Sequence, residues 1–162
     1  FRLIKDKVLN GGVFEGKTIN TPSMLCVADA LDSLLWIEKL GGWKKTYERS
    51  LQNFKILSTW YEERAWITNM VEDKKIQSNS SVCLKIIDKN FEKLNFNNKW
   101  DFVKKMCSIL EDNFAAFDIK GHRNAPPCLR IWCGPTVEEQ DIKRLLPWLD
   151  WSFETIRRDF FN

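Results

Sequence analysis

The sequence has no hydrophobic run that approaches the roughly 18 apolar residues of a membrane-spanning helix, so we expect no membrane partner. It has no basic segment followed by an apolar one, so we expect no secretory signal. Internal repeats and low-complexity tracts are also lacking, and 44% hydrophobic with 29% charged residues is the mixture of a globular domain. Because the first residue is Phe1 and not Met, we expect the chain to be trimmed or to be a piece of a longer protein.

Histidine is represented by His122 alone, which excludes a His-rich metal site. The five cysteines are odd in number and no two have CxxC spacing, which argues against a disulfide framework and against a zinc site. Reduced cysteines are typical of the cytosol. We therefore expect a cytoplasmic protein with no metal site.

Charge of one sign is not concentrated in any part of the chain. The 25 basic and 22 acidic residues give a net charge of +3, and the basic pairs are scattered among acids. Proteins that bind nucleic acids usually gather their basic residues on one face or in one run. The pattern favours solvated helix faces, and we expect no nucleic acid partner.

A chain of 162 residues is long enough for one domain, or for one domain plus an arm. Glycines and weak periodicity predict an extended arm over residues 1–20. Apolar residues at helical spacing predict a linking helix over 21–42, with Thr21 as its N-cap and Pro22 at its first position. Residues 43–162 are then expected to form a small domain that begins with a second amphipathic helix.

Alternation of apolar and polar residues predicts three strands, and helical spacing predicts two further helices. The strands are expected at 78–87, 116–119 and 128–133. A capping box of Thr136 and Glu139 predicts the start of the last helix, which Pro147 is expected to kink or split. We therefore predict an α/β (α+β) fold: a small, mostly antiparallel sheet of about three strands with helices on one face, preceded by an extended arm and a long helix.

The most informative candidate site is cationic. His122 and Arg123 lie in a loop, and alternation places Arg130 of the next strand on the face opposite the apolar Leu129 and Ile131. Two guanidiniums and one imidazole could hold a doubly anionic small molecule. The alternative is that Arg130 is an ordinary surface residue with an acidic partner.

Two other candidates have weaker support. A Cys/His nucleophile pair would join His122 to Cys128 or Cys133, of which at most one can face it. Asn20 and Thr21 precede a predicted helix whose N-terminus carries partial positive charge, which is a ready anion site. The alternative for that pair is a helix that is simply capped.

Five stretches carry a specific combination of motifs. They are Thr18–Met24, Leu35–Gly42, Ser78–Cys83, Lys120–Gly134 and Leu146–Trp151. Asn-Thr-Pro opens a helix, and Gly-His-Arg is followed by Arg130, seven residues after Arg123. In these motifs the chain resembles the C-terminal part of phosphoserine aminotransferases, pyridoxal-phosphate enzymes of fold type I in the class-V group. Pro126 and Pro127 stand where the better-known branch of that family has glycines.

The resemblance implies a role for each candidate residue. Asn20 and Thr21 would touch the phosphate of pyridoxal 5'-phosphate, across the interface of a homodimer. His122 and Arg123 would help to hold the distal anion, the phosphate of phosphoserine or the side-chain carboxylate of glutamate. Arg130 would clamp the α-carboxylate of the substrate.

The resemblance also implies an activity for the parent enzyme, which would transfer an amino group between O-phosphoserine and 2-oxoglutarate in serine biosynthesis. No lysine of this chain stands in the family's Schiff-base motif, so we expect no catalytic residue here and no turnover by this chain alone. Without the cofactor domain, the arm and one face of the first helix are expected to expose an apolar patch. Two alternatives stay open: the small domain of another class-V aminotransferase, or a stand-alone anion-binding module without catalysis.

Overall fold

The elements of this computed structural model divide by their internal contacts into two units, Phe1–Trp43 and Lys44–Asn162. The structure describes residues 4–5, 7–9, 11–18 and 20–161. Parts of the predicted arm, at 1–3, 6 and 10, and the second residue of the first motif, at 19, therefore lie outside the described residues.

The first unit contains a minimal hairpin, a short 3-10 helix and one long helix. Strands β1 (Ile4–Lys5) and β2 (Val8–Leu9) pair antiparallel, and the 3-10 helix covers Gly11–Glu15. Helix α1 spans Met24–Lys39. Its large apolar side chains include Met24 and Leu34, which are 79% and 61% exposed. The expectation of an exposed apolar patch on this helix is thus confirmed.

The start of α1 differs from the prediction. Ser23, not Thr21, is the N-cap, and its side chain accepts a hydrogen bond from the backbone N–H of Cys26. Ser23 has the extended backbone conformation that a cap requires, so Pro22 stands before the helix instead of at its first position. At the other end, Gly41 and Gly42 have φ values of 101° and 81°, in the left-handed region that favours glycine and that ends α1.

The second unit is built on a three-stranded antiparallel sheet of order β3-β4-β5. The strands are β3 (Ile67–Asn69), β4 (Ser81–Ile86) and β5 (Leu129–Trp132). Ile67 pairs with Ile86, and Cys83 pairs with Arg130. The predicted small antiparallel sheet with helices is confirmed, and two of its strands are those that the alternation predicts.

The prediction of a strand at 116–119 is wrong. Within the described part of the chain this region contributes only a single bridge, Lys120 with Leu129. Phe114 and Asp118 have φ values of 55° and 53°, in the left-handed region, and these interrupt an extended conformation. The sheet takes β3 instead, whose three residues are too few to show a strand period.

Among the described residues of the second unit, four α-helices accompany the sheet. They are α2 (Gly42–Glu62), α3 (Lys89–Glu92), α4 (Phe96–Asp112) and α5 (Glu139–Phe161). Helix α5 continues through Pro147, so the predicted split is wrong. Pro147 is exposed, and the carbonyl of Lys143 that loses its donor lies at an exposed residue where water can hydrate it. The predicted capping box is also wrong, because α5 begins only at Glu139 and the Thr136 hydroxyl accepts a hydrogen bond from Trp132 Nε1.

The core lies between one face of the sheet and the buried faces of α2, α4 and α5. Its fully buried large side chains are Leu57, Ile67, Val82, Leu84, Phe102, Val103, Met106, Leu110, Leu129, Ile131, Leu149 and Phe153. The apolar residues that recur at helical spacing in α2 are buried only toward its C-terminal end, where Leu57 and Tyr61 lie in the core. Tyr47 is 53% exposed, whereas Asn53 is buried and donates to the carbonyl oxygen of Val137 at 2.9 Å.

A polar network ties the end of α2 and the start of β3 to α5. The Asp150 carboxylate accepts hydrogen bonds from the indole N–H groups of Trp60 and Trp66, at 3.0 and 3.2 Å. Arg64 donates to both of its oxygens, at 3.1 and 3.4 Å. This carboxylate lowers the energy of the charged Arg64 and raises its pKa.

Two absences hold for the described residues. None of their helices is both long enough and apolar enough to cross a membrane. No group of three or more His, Cys, Asp or Glu side chains among them could hold a metal ion.

Candidate anion site

The loop that carries His122 and Arg123 is closed at its base. Gly121 N–H donates to the carbonyl oxygen of Cys128 at 2.9 Å, and Arg130 N–H donates to that of Ile119 at 2.7 Å. Gly121 approaches Cys128 so closely that a Cβ there would lie 2.4 Å from Cys128 Sγ. Only glycine fits this position, and the close approach fixes where the loop leaves the sheet.

His122 and Arg123 are both exposed on this loop. Nδ1 of His122 accepts a hydrogen bond from the backbone N–H of Asn124 at 3.2 Å. A neutral imidazole with an accepting Nδ1 carries its proton on Nε2. The ring can therefore offer an N–H donor to an anion without first becoming protonated.

Arg130 lies on β5 and lines a cavity of about 360 Å³. The other lining residues are Ser81, Phe117, Asp118, Ile119 and Trp132. A volume of this size suits a small molecule. Arg130 Nη2 lies 3.4 Å from Asp118 Oδ2. The arginine therefore has both of the features that the sequence left as alternatives, a cavity and an acidic partner.

Trp132 forms a fixed wall of this cavity. Its indole N–H donates to Thr136 Oγ1 at 3.0 Å. On the other side, a Cβ at Gly134 would lie 2.2 Å from the Trp132 ring, so only glycine leaves room for it. The ring is half-exposed and shares the cavity with the exposed Phe117. Two aromatic rings therefore line the cavity beside the guanidinium.

Burial removes Cys128 and Cys133 from nucleophilic chemistry. It raises the pKa of Cys128 to about 11 and that of Cys133 to about 12. Both side chains are fully buried. Because the thiolate is the nucleophile, a Cys/His pair built on either residue has no reactive form near neutral pH.

The candidate residues fall into three places. Arg130 is in the cavity; His122 and Arg123 are on the loop that the same strand closes, outside the lining of that cavity. Asn20 and Thr21 are exposed and lie just before the N-cap of α1, in the first unit. The sequence interpretation missed Phe117 and Asp118, because their segment was predicted to be a strand. The alternative interpretation of Arg130, as a surface residue with an acidic partner, is the one signal that pointed toward a residue such as Asp118.

Comparison with known proteins supplies a family context for this geometry. No protein-family model matches the sequence. Two proteins named phosphoserine aminotransferase, from Methanosarcina mazei and Methanosarcina barkeri, are each 40% identical over 157 residues, or 97% of this chain. The solved phosphoserine aminotransferase from Bacillus circulans subsp. alkalophilus matches 88% of this chain and 36% of its own, with a TM-score of 0.67 at 19% identity.

These comparisons confirm the resemblance and the fold class that the motifs predict. The chain spans 40% of the length of the two Methanosarcina proteins it matches. The similarity runs through nearly the whole chain, including the residues of the cavity and of the loop. In the Methanosarcina proteins, the matching segment is only a part of the sequence.

Proposed function

We propose that this chain, a homologue of the phosphoserine aminotransferases, is the C-terminal domain of such an enzyme. The parent would transfer an amino group between O-phosphoserine and 2-oxoglutarate in serine biosynthesis, in the cytoplasm. The observation that carries the proposal is Arg130, which lines a ligand-sized cavity next to the loop of His122 and Arg123. The 40% identity over 97% of the chain supports it.

Arg130 would bind the α-carboxylate of the amino acid. A guanidinium can donate two parallel hydrogen bonds to a carboxylate, which fixes the orientation of the ligand as well as its position. The fixed ring of Trp132 limits where that carboxylate can lie. Orientation is the main contribution that the protein makes here, because a correctly placed amino acid reacts far faster than a free one.

His122 and Arg123 would hold the distal anion of the substrate. A phosphate monoester carries close to two negative charges at neutral pH and has three acceptor oxygens. The Nε2–H of His122 and the guanidinium of Arg123 are matching donors. The glutamate side chain would use the same donors in the other half of the reaction.

Pyridoxal 5'-phosphate supplies the electron sink for amino transfer when it is bound. Asn20 and Thr21 fit its phosphate group chemically, since an amide and a hydroxyl are exposed just before the N-terminus of α1. In the proposed homodimer these two residues would serve the neighbouring subunit. The lysine and the ring partners of the cofactor would belong to the remaining part of the parent enzyme.

A chimera tests this proposal. In the Methanosarcina mazei protein, the segment that matches this chain is replaced by the chain itself. We expect the purified chimera to form glutamate from O-phosphoserine and 2-oxoglutarate. Arg130→Ala should lower kcat/KM by roughly 10- to 100-fold, which is the value of a lost hydrogen-bonded charge pair.

Two variants control this experiment. Arg130→Lys keeps the charge but not the two parallel donors. Its kcat/KM should therefore lie between that of Arg130→Ala and that of the unsubstituted chimera. Arg144→Ala removes an exposed arginine of α5 and should leave kcat/KM unchanged. A folded, cofactor-loaded chimera without activity would contradict the enzyme proposal. If the chimera were inactive and the chain alone still bound O-phosphoserine, the chain would instead be an anion-binding module without catalysis.

A further inference from the structure

Asp118 is an exposed acid beside the arginine of the cavity. Its carboxylate lies 3.4 Å from Arg130 Nη2 and is itself a lining group of the cavity. The Asp118 side chain is 89% exposed and that of Arg130 is 38% exposed. The ion pair is therefore long and open to water, and exposed pairs of this kind contribute little to stability.

The backbone places Asp118 there at some cost. Its φ of 53° lies in the left-handed region, which aspartate and asparagine tolerate better than most residues. Within the same turn, Phe117 supplies an aromatic wall of the cavity. One turn thus delivers both a wall and a negative charge to the guanidinium.

A ligand carboxylate and the Asp118 carboxylate seek the same donor. The ligand would engage Arg130 through two parallel hydrogen bonds, which are stronger than the single long contact to Asp118. While it stays close, Asp118 repels the incoming negative charge. A ligand carboxylate that takes Nη2 as one of its two donors would therefore displace Asp118.

We propose that Asp118 is the displaceable counter-ion of Arg130 and that it lowers the affinity of the cavity for carboxylates. This inference rests on the proposed function only in taking a carboxylate as the ligand of Arg130. Weakly held inorganic anions would not displace Asp118. A ligand that also gains contacts from His122 and Arg123 would bind strongly enough to displace Asp118 from Arg130. Asp118 would then be a positioning and specificity residue that favours amino acids with a second anionic group.

The full 162-residue chain provides the test. The chain is labelled with 15N, and the indole N–H signal of Trp132, which lines the cavity, is followed by NMR during titration with O-phosphoserine. Asp118→Asn keeps a residue that tolerates positive φ and removes the charge. We expect it to lower the Kd by roughly two- to fivefold, the range that corresponds to an exposed ion pair. The difference should shrink at high salt.

Three comparisons make the result specific. O-Phosphoethanolamine keeps the phosphate and the amine but has no carboxylate, so its Kd should not change in Asp118→Asn. In an Arg130→Ala background, Asp118→Asn should have no effect on O-phosphoserine. Asp141→Asn, which removes the same charge from the pair with Arg144 on α5, should have no effect in any background.

The outcomes separate this inference from the proposed function. An unchanged or higher Kd in Asp118→Asn would overturn the counter-ion role, as would an equal gain for O-phosphoethanolamine. A Trp132 signal that does not move with saturating O-phosphoserine would overturn it as well. None of these results affects the activity of the chimera, which decides the proposed function separately.

Discussion

Two glycines of the site are required by a lack of space, one at the base of the loop and one just after β5. Gly121 lies so close to Cys128 that no side chain fits, and Gly134 lies equally close to the ring of Trp132. A glycine next to a cationic motif is therefore a packing requirement in this protein. The sequence alone shows the glycines but not what they face.

Burial also determines the chemistry of each cysteine, and this leads to a prediction. Cys26 is exposed, whereas burial raises the pKa of Cys107 and Cys133 to about 12 and that of Cys128 to about 11. Near pH 8 the buried thiols carry almost no thiolate, so they cannot react quickly. We expect a maleimide to label Cys26 first, with the partly exposed Cys83 reacting more slowly.

Mass spectrometry of the native chain over time measures this labelling. Cys26→Ser should abolish the fast phase and leave the slower one unchanged. Unfolding in guanidinium should expose all five thiols. Fast labelling of three or more thiols in the native chain would show that the core is not packed as described.

Individual elements depend on one polar network as much as on the apolar core. Asp150 on α5 accepts hydrogen bonds from Trp60, Trp66 and Arg64, which lie at the end of α2 and the start of β3. Trp66 also stacks on Phe153 of α5, with ring centroids 4.1 Å apart. The network therefore anchors the chain just before β3 to α5.

Removal of this carboxylate should destabilise the second unit. Asp150→Ala leaves two buried indole N–H groups without a partner, and each such loss costs about 1–3 kcal/mol. We expect the free energy of unfolding in urea to fall by about 2–4 kcal/mol. Asp101→Ala, which breaks an exposed pair with Lys104 on α4, should change it by less than about 0.5 kcal/mol. An equal effect of the two substitutions would contradict the network.

Elements with a clear period could be predicted from the sequence, and elements set by distant partners could not. Alternation identifies β4 and β5, and helical spacing identifies α4 and α5. Strand β3 has three residues and exists because it pairs with β4. The segment at 116–119 has strand-like residues, but positive φ at Asp118 bends it toward Arg130. Arg130, the cation of the site, was therefore predictable from the sequence, whereas its acidic partner Asp118 was not.

At the largest scale, the 162-residue chain corresponds to a part of its longer relatives. It matches 97% of its own length to proteins that are about two and a half times as long, since it covers 40% of them. The proposed substrate donors Arg130, His122 and Arg123 lie in the second unit, and the proposed cofactor donors Asn20 and Thr21 lie in the first. Ligand recognition and cofactor chemistry would thus be separated along the parent chain.

The substrate preference of the chimera tests the central claim most directly. The measurement is kcat/KM for O-phosphoserine against serine, aspartate and alanine, each with 2-oxoglutarate as acceptor. We predict that O-phosphoserine is preferred by at least roughly tenfold, because only it offers a carboxylate to Arg130 and a doubly charged phosphate to His122 and Arg123. If another amino acid reacts as well or better in a folded, cofactor-loaded chimera, the domain belongs to an aminotransferase of different specificity.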